Sequence, residues 1–198
     1  MRAFLGIGLP AGVREGIAAA TAQVRGLHAP VAWTAPENLH ITLEFLGEIS
    51  PERVALVVRS MRDVASGIGP FFLTAEGGGA FPGTRNPRVL WVGFLEPLEL
   101  VRQLQQNMGN ALSGAGFLRE DRPFHPHITV GRTRGALPPA WGERFLQALS
   151  GKEFGVVPVS SFTLYESRLG PGGAAYTPLR DFRLEGSGKR EIREEKEP

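Results

Sequence analysis

The stretch His40-Ile41-Thr42-Leu43-Glu44-Phe45-Leu46-Gly47 contains a His-Ile-Thr tripeptide that occurs again at His127-Ile128-Thr129. Both copies lie in runs rich in β-branched and aromatic residues, which predict β-strands. Side chains alternate between the two faces of a strand, so each histidine shares a face with the threonine two residues later. Each copy is therefore expected to present one imidazole and one hydroxyl together.

A pair of histidines in matching contexts points to proton transfer. A lone histidine in an apolar strand is usually a structural residue, but two copies of the same tripeptide favour a shared function. The unperturbed pKa of histidine, about 6.5, lets one imidazole accept a proton while another donates one. His40 and His127 are thus candidate acid and base catalysts, and Thr42 and Thr129 are candidates for binding a phosphate.

The composition limits the class of protein. The chain has 198 residues, of which 42% are hydrophobic, and no cysteine. The lack of cysteine excludes a disulfide framework, a thiolate nucleophile and a cysteine-ligated metal, and makes the cytoplasm the expected location. No apolar run reaches the roughly 18–20 residues of a membrane span, so no membrane association is expected.

The charge gives weaker information. The net charge is +2 and the sequence pI is about 9.4. Only Lys152, Lys189 and Lys196 among the 22 basic residues are lysines, and arginine suits bidentate phosphate recognition. A bias in genome composition would produce the same excess of arginine, so it supports a phosphate ligand only weakly.

The hydrophobic pattern predicts alternating strands and helices. Strands are expected at 2–9, 39–47, 71–75, 89–94, 124–131, 156–165 and 176–184, and helices at 11–27, 51–64, 97–113 and 138–151. The glycine- and proline-rich segment 77–87 is predicted to be a long loop, an arm or a lid, with Arg85 and Arg88 able to reach an RNA backbone or to be plain surface residues.

The two tripeptides lie 87 residues apart, and each precedes a helix and further strands. This order predicts two related halves of about 90 residues whose histidine faces meet across a cleft. We expect one bilobal domain over residues 1–185 and a charged, disordered tail over 186–198.

Longer motifs around the tripeptides are similar to those of a known family. The first motif and the second, Phe124-His125-Pro126-His127-Ile128-Thr129-Val130-Gly131-Arg132, resemble the paired His-x-Thr motifs of the two-histidine phosphoesterases. Within that superfamily the similarity is to the LigT-like RNA 2′,3′-cyclic phosphodiesterases of bacteria and archaea, historically called 2′-5′ RNA ligases. It extends over almost the whole chain except the tail.

The resemblance implies an α+β fold with two lobes, each an antiparallel sheet flanked by helices, around an active-site cleft. It implies hydrolysis of an RNA 2′,3′-cyclic phosphate end to a 2′-phosphate with no metal and no other cofactor, and reversible 2′-5′ ligation. By the same resemblance His40 is the proton donor, His127 the proton acceptor, and Thr42 and Thr129 contact the phosphate. The donor and acceptor labels are interchangeable at this point.

Some residues have competing interpretations. Strand alternation puts Arg132, a candidate phosphate contact, on the face opposite His127 unless the strand ends or bulges first. His125 and His127 could form part of a metal site with Glu44, although Pro126 can turn His125 away.

Three aromatic residues in or near the motifs have two possible roles each. Phe45, Trp91 and Phe124 could stack on a nucleobase. For Phe45 and Trp91 we expect burial in the core instead, because Phe45 falls on the face of Ile41 and Leu43.

Three functions follow from the sequence. The first is the RNA cyclic phosphodiesterase, a monomer that acts on RNA ends such as tRNA fragments. The second keeps the histidine pair but uses a small cyclic nucleotide or a 2′-5′ oligonucleotide. The third is a non-catalytic RNA-binding module that only grips phosphate, which is less favoured because permanently charged side chains suit that task better.

Overall fold

Nine β-strands and four α-helices form the fold in a computed structural model that describes residues 1–118, 122–170 and 173–186. The strands are β1 (Arg2–Gly8), β2 (Val31–Trp33), β3 (His40–Glu48), β4 (Phe71–Phe81), β5 (Val89–Phe94), β6 (Ile128–Thr133), β7 (Glu153–Val159), β8 (Ser161–Gly170) and β9 (Gly173–Arg183). The helices are α1 (Ala11–Arg25), α2 (Pro51–Ser66), α3 (Glu99–Gly114) and α4 (Trp141–Leu149).

The strands form two antiparallel groups that continue into one another. Their order is β7-β4-β5-β6-β3-β1-β8-β9, with β2 paired to β6. Helices α2 and α3 pack on the β3-β1-β8-β9 group, which we call the first lobe, and helices α1 and α4 pack on the remaining strands, the second lobe. The predicted α+β fold with two lobes, each an antiparallel sheet flanked by helices, is confirmed.

The two groups of strands join where β3 meets β6. Within the described residues the strand pairing here is one antiparallel pair, Ile41 with Ile128, and both side chains are fully buried. The middle residues of the two His-Ile-Thr tripeptides therefore form the joint between the lobes, and the chain crosses between the lobes several times to complete each one.

Local sequence explains how the elements next to the site begin and end. Ser50 caps α2 through a 3.5 Å hydrogen bond that its Oγ accepts from the Arg53 backbone N–H, and Pro51 occupies the first helical position, where its missing N–H costs nothing. A short 3-10 helix, Pro36–Asn38, leads directly into β3. It fixes the direction from which the first motif strand starts.

The predicted long loop at 77–87 is wrong. β4 continues through Phe81, and only residues 82–88 connect it to β5. Gly77, with a φ of +59°, is the extra residue of a β-bulge, and Gly79 pairs with Trp91. These glycines allow the strand to bulge and to accept the Trp91 ring; they do not break it.

Other element boundaries also differ from the prediction. The predicted strand at 156–165 is two strands, β7 and β8, which diverge at Ser160. The second motif strand begins at Ile128 and not at residue 124, so His127 immediately precedes it. The three-residue strand β2 was not predicted because so short a segment carries no periodicity.

The predicted tail begins at Gly186, whose N–H donates a 3.0 Å hydrogen bond to the Ile68 carbonyl oxygen. Residues 187–198, the rest of the predicted tail, lie outside the described residues. Among the helices that the structure describes, none has the length and apolar character that a bilayer crossing requires.

Gly6 allows β1 to pack closely against the first motif strand. A Cβ at this position would lie 2.8 Å from the Ile41 carbonyl oxygen and 3.2 Å from the Phe4 ring. We predict that Gly6→Ala lowers the free energy of unfolding by about 1–3 kcal/mol, because the clash involves backbone that cannot move freely. Urea denaturation measures this change.

Gly12→Ala is the matched control for this prediction. No atom lies within 4 Å of a Cβ at Gly12, which is in helix α1, so alanine there should stabilise the protein by about 0.4–1 kcal/mol. Equal effects of the two substitutions would contradict the close packing of β1 on β3.

Candidate active site

The candidate site is a surface formed by β3 and the start of β6. Ile41 and Ile128 pair in antiparallel register, which sets His40 opposite Thr129 and Thr42 opposite His127. Both isoleucines point into the core, so the two imidazoles and the two hydroxyls lie on the other face. The structure therefore brings together the four side chains that the repeated tripeptide singled out.

A β-bulge follows the threonine in the first motif strand. Thr42 pairs with Gly6 and Glu44 with Leu5, so Leu43 is the extra residue. The bulge reverses the alternation of side chains, and Phe45 therefore shares the face of His40 and is 59% exposed. The predicted burial of Phe45 is wrong for this reason.

The second motif strand bulges at the equivalent position. Thr129 pairs with Trp91 and Gly131 with Leu90, so Val130 is the extra residue. Arg132 is consequently on the face of His127, where it is exposed. Phe45 and Arg132 thus occupy corresponding positions, each five residues after a motif histidine.

Both imidazoles are held in the same orientation by backbone carbonyl groups. His40 Nδ1 donates to the Asn38 carbonyl oxygen at 2.7 Å, and His127 Nδ1 donates to the His125 carbonyl oxygen at 2.7 Å. A carbonyl oxygen can only accept, so in each neutral imidazole the proton is on Nδ1 and the lone pair is on Nε2. Thr42 Oγ1 then donates to His40 Nε2 at 3.0 Å.

Aromatic rings surround His40 on the first lobe. The Phe4 ring centroid lies 4.8 Å from that of His40, and the Tyr176 ring meets His40 edge-on at 5.0 Å. The Asn38 side chain donates a 2.7 Å hydrogen bond to the Ala174 carbonyl oxygen, which ties β9 and Tyr176 to the start of β3. Asn38 therefore orients His40 through its carbonyl group and fixes the adjacent aromatic wall through its amide.

A second aromatic group surrounds His127 on the second lobe. Phe81 meets the His127 ring edge-on at 5.3 Å, and Trp91 lies 6.4 Å from it. Trp91 is half-buried on the site face, because it pairs with Thr129, and not in the core as expected. Both histidines are thus packed between aromatic rings and partly removed from water.

Burial and neighbouring charge act in the same direction on both histidines. Burial lowers the pKa of His40 and of His127 below the ordinary histidine value. The hydrogen bonds to the two carbonyl oxygens oppose this effect, and the positive charge of Arg132 adds to it in both cases. The lowered pKa values favour the neutral form of both imidazoles.

The structure does not assemble the metal site that the sequence left open. The bulge at Leu43 turns Glu44 toward the core, where its Oε1 accepts a 2.7 Å hydrogen bond from Gln105 Nε2. Among residues 1–118, 122–170 and 173–186, no three histidine, aspartate or glutamate side chains are close enough to hold one metal ion.

A separate cavity of about 610 Å³ lies along the free edge of β3, between this strand and the end of α3. Phe45 borders both this cavity and the histidine face, and Arg53 and Phe117 also line the cavity. The cavity contains no histidine and hence no group suited to proton transfer near neutral pH.

The sequence missed the roles of Asn38, of the His125 carbonyl group and of the aromatic rings at the two histidines. A signal for Asn38 and His125 was available, since each lies two residues before a motif histidine and its carbonyl group makes the same contact in both copies. The aromatic rings come from β1, β4, β5 and β9, and no local pattern relates these strands to the motifs.

Comparison with known proteins identifies relatives along almost the entire chain. The model of the LigT like Phosphoesterase family matches twice, at residues 7–91 and 95–176. A Methanothermobacter thermautotrophicus protein named RNA 2′,3′-cyclic phosphodiesterase is 34% identical over 184 residues, which are 93% of this chain and 99% of that protein.

Two solved structures have the same fold. A Thermus thermophilus protein superposes with a TM-score of 0.79 and 30% identity, over 95% of this chain and 100% of that one. The crystal structure of Escherichia coli LigT complexed with 3′-AMP superposes with a TM-score of 0.75 and 31% identity, over 92% and 97% of the two chains.

We predict that Arg132→Gln raises the pKa of both motif histidines in the unliganded protein. Removing a positive charge on their face stabilises each imidazolium, so both titrations move to higher pH. Titration of the imidazole NMR resonances measures the two pKa values.

Arg134→Gln removes the same charge two positions further along the chain and is the control, because Arg134 contributes to neither histidine. Unchanged titrations in Arg132→Gln would contradict the placement of Arg132 on the histidine face.

Proposed function

The chain belongs to the LigT-like phosphoesterase family, and from that premise we propose that it hydrolyses the 2′,3′-cyclic phosphate at the end of an RNA to a 2′-phosphate. The observation that carries the proposal is the common face of His40, Thr42, His127 and Thr129, with each Nδ1–H bonded to a carbonyl oxygen. The two Nε2 atoms then act on either side of a bound phosphate, after Thr42 releases that of His40.

The reaction moves one proton at each histidine. His127 Nε2 takes a proton from water, the water oxygen bonds to phosphorus, and the bond from phosphorus to O3′ breaks. His40 Nε2 gives its proton to O3′, which leaves a 3′-hydroxyl and a 2′-phosphate. Proton exchange with solvent then restores an imidazolium at His40 and a neutral imidazole at His127.

Substrate binding prepares His40 for the role of acid. The pKa of His40 is lowered by burial in the unliganded protein, and the negative charge of a bound cyclic phosphate raises it again. The hydroxyl of Thr42 leaves Nε2 and, with that of Thr129, donates to a phosphate oxygen. The protonated acid therefore forms mainly when substrate is present.

Arg132 and Phe45 contribute to the same site. The guanidinium of Arg132 offsets the negative charge that develops on the phosphate oxygens in the transition state. The exposed ring of Phe45 offers a stacking surface for the terminal base, an interaction worth about 1–3 kcal/mol. The 3′-AMP in the crystals of the Escherichia coli relative supports a site for a nucleoside with a phosphate.

The same geometry supports a transesterification of the same cyclic phosphate, with O3′ again as the leaving group. If the 5′-hydroxyl of a second RNA takes the place of water, His127 activates it and a 2′-5′ linkage forms. We therefore include 2′-5′ ligation in the proposal, with RNA fragments such as those of tRNA as substrates. No metal enters any step of the proposed reaction. The absence of cysteine supports a cytoplasmic location. We further propose that the enzyme acts as a monomer.

The first test is hydrolysis of nucleoside 2′,3′-cyclic phosphates and of a short RNA with that end, in the presence of EDTA. We predict a 2′-phosphate product and a bell-shaped dependence of kcat/KM on pH. His40→Ala and His127→Ala should each lower kcat by about 10²–10⁴-fold, because each removes one proton transfer. Chromatography of the products measures the rate and the position of the phosphate.

His28→Ala is the control, since His28 is exposed and lies outside both motifs. No turnover by folded wild-type protein would contradict the phosphodiesterase. Binding of RNA without turnover would then favour the non-catalytic module, and turnover of small cyclic nucleotides alone would favour a nucleotide phosphodiesterase.

A substrate with sulfur in place of O3′ separates the acid from the base. A thiolate leaves without being protonated, so the acid becomes dispensable while the base remains necessary. We predict that His40→Ala recovers most of its lost activity on the 3′-thio substrate and that His127→Ala does not. Recovery in His127→Ala alone would exchange the two roles.

A further inference from the structure

The histidine face has a separate aromatic surface on each lobe. On the first lobe, Tyr176 lies beside His40, and Phe45 is exposed on the same face with its ring 6.5 Å from that of Phe4. On the second lobe, Phe81, Trp91 and His125 lie beside His127, and we call these three residues the second platform. The terminal nucleotide, which carries the cyclic phosphate, has a single base. This base can occupy only one of the two surfaces.

Glycines in the neighbouring strands make room for the second platform. Gly79 of β4 pairs with Trp91, and a Cβ at Gly79 would overlap the indole ring. A Cβ at Gly93 would lie 3.2 Å from the same ring. Glycine weakens a strand, and here it allows Trp91 to lie flat on β4 toward the site.

The internal contacts of Trp91 do not account for its position. Its Nε1–H is buried and has no hydrogen-bond partner within the described residues. Such a group normally finds a partner, so the ring is held in place at a cost to stability. Core packing alone therefore does not explain why a tryptophan occupies this position.

His125 forms the outer part of the platform. Its ring stands edge-on to Trp91 at 5.0 Å and to Phe81 at 5.5 Å, and the residue is exposed. A base can therefore contact the imidazole face without displacing either of the larger rings. The distance between the rings of His125 and His127 is 6.4 Å, which keeps such a base next to the reacting phosphate.

Positive charge adjoins the platform. Arg85 and Arg88 lie in the connection that follows Phe81 and are exposed, and neither guanidinium makes an ion pair or hydrogen bond within the part of the chain that the structure describes. Free guanidinium groups beside stacking surfaces are the combination that binds a nucleotide with its phosphate.

We infer that the second platform binds a second nucleotide of RNA, with its base on His125 and its phosphate toward Arg85 and Arg88. This inference rests on the proposed function and assigns the second lobe to the RNA beyond the terminal nucleotide. The nucleotide comes either from the same RNA, upstream of the cyclic phosphate, or from the 5′-hydroxyl strand on the His127 side.

Three substrates test the inference: a nucleoside 2′,3′-cyclic phosphate, a dinucleotide that ends in one, and a 2′-5′-linked dinucleoside monophosphate. KM and kcat are measured for wild type, for His125→Ala and for the control His28→Ala. If the platform binds the upstream nucleotide, the wild type has a lower KM for the dinucleotide cyclic phosphate than for the mononucleoside. We call the KM of the mononucleoside divided by that of the dinucleotide the KM ratio. His125→Ala should then reduce this KM ratio at least about fivefold, which is the effect of losing one stacked base.

The comparison of substrates distinguishes the two sources. If the platform binds the 5′-hydroxyl strand, His125→Ala selectively weakens cleavage of the 2′-5′-linked substrate and leaves the KM ratio of the cyclic phosphates unchanged. A change by the same factor for all three substrates would overturn the inference, because it would mean that His125 acts only through His127. Absence of turnover of every substrate by wild type would instead refute the proposed function.

Discussion

The pairing of Ile41 with Ile128 holds the two lobes and the two motifs in one arrangement. These fully buried residues are the backbone pair that joins β3 to β6 in the described structure, and each is the middle residue of a His-Ile-Thr tripeptide. Strand alternation then places both imidazoles on the opposite face without further contacts between the motifs. The same pair that closes the core between the lobes therefore sets the relative position of the two motif histidines.

Two β-bulges complete the site that this pairing begins. Leu43 and Val130 are the extra residues, and they turn Phe45 and Arg132 onto the histidine face. The sequence alone led to the histidines and threonines, because regular alternation holds over three residues. It failed for Phe45, where the bulge intervenes, and left Arg132 open, since a bulge depends on the register with neighbouring strands.

The fold was predictable where the hydrophobic pattern was regular, as for β1, α2, α3 and β5. It was not predictable at 77–87, where glycines that usually mark a loop instead belong to β4 and make room for Trp91.

The aromatic surroundings of His40 and His127 come from strands that are distant in sequence. These surroundings lower the pKa of both histidines by burial, a consequence that the sequence motifs alone do not contain.

The central claim is that one phosphate lies between the two Nε2 atoms, and a crystal structure with a nucleoside–vanadate complex tests it most directly. Vanadium in this complex has five ligands and mimics phosphorus in the transition state. We predict that His40 Nε2 and His127 Nε2 each lie within hydrogen-bond distance of a different apical oxygen, on opposite sides of vanadium. Vanadium bound away from either imidazole, or both imidazoles on the same oxygen, would contradict paired acid–base catalysis.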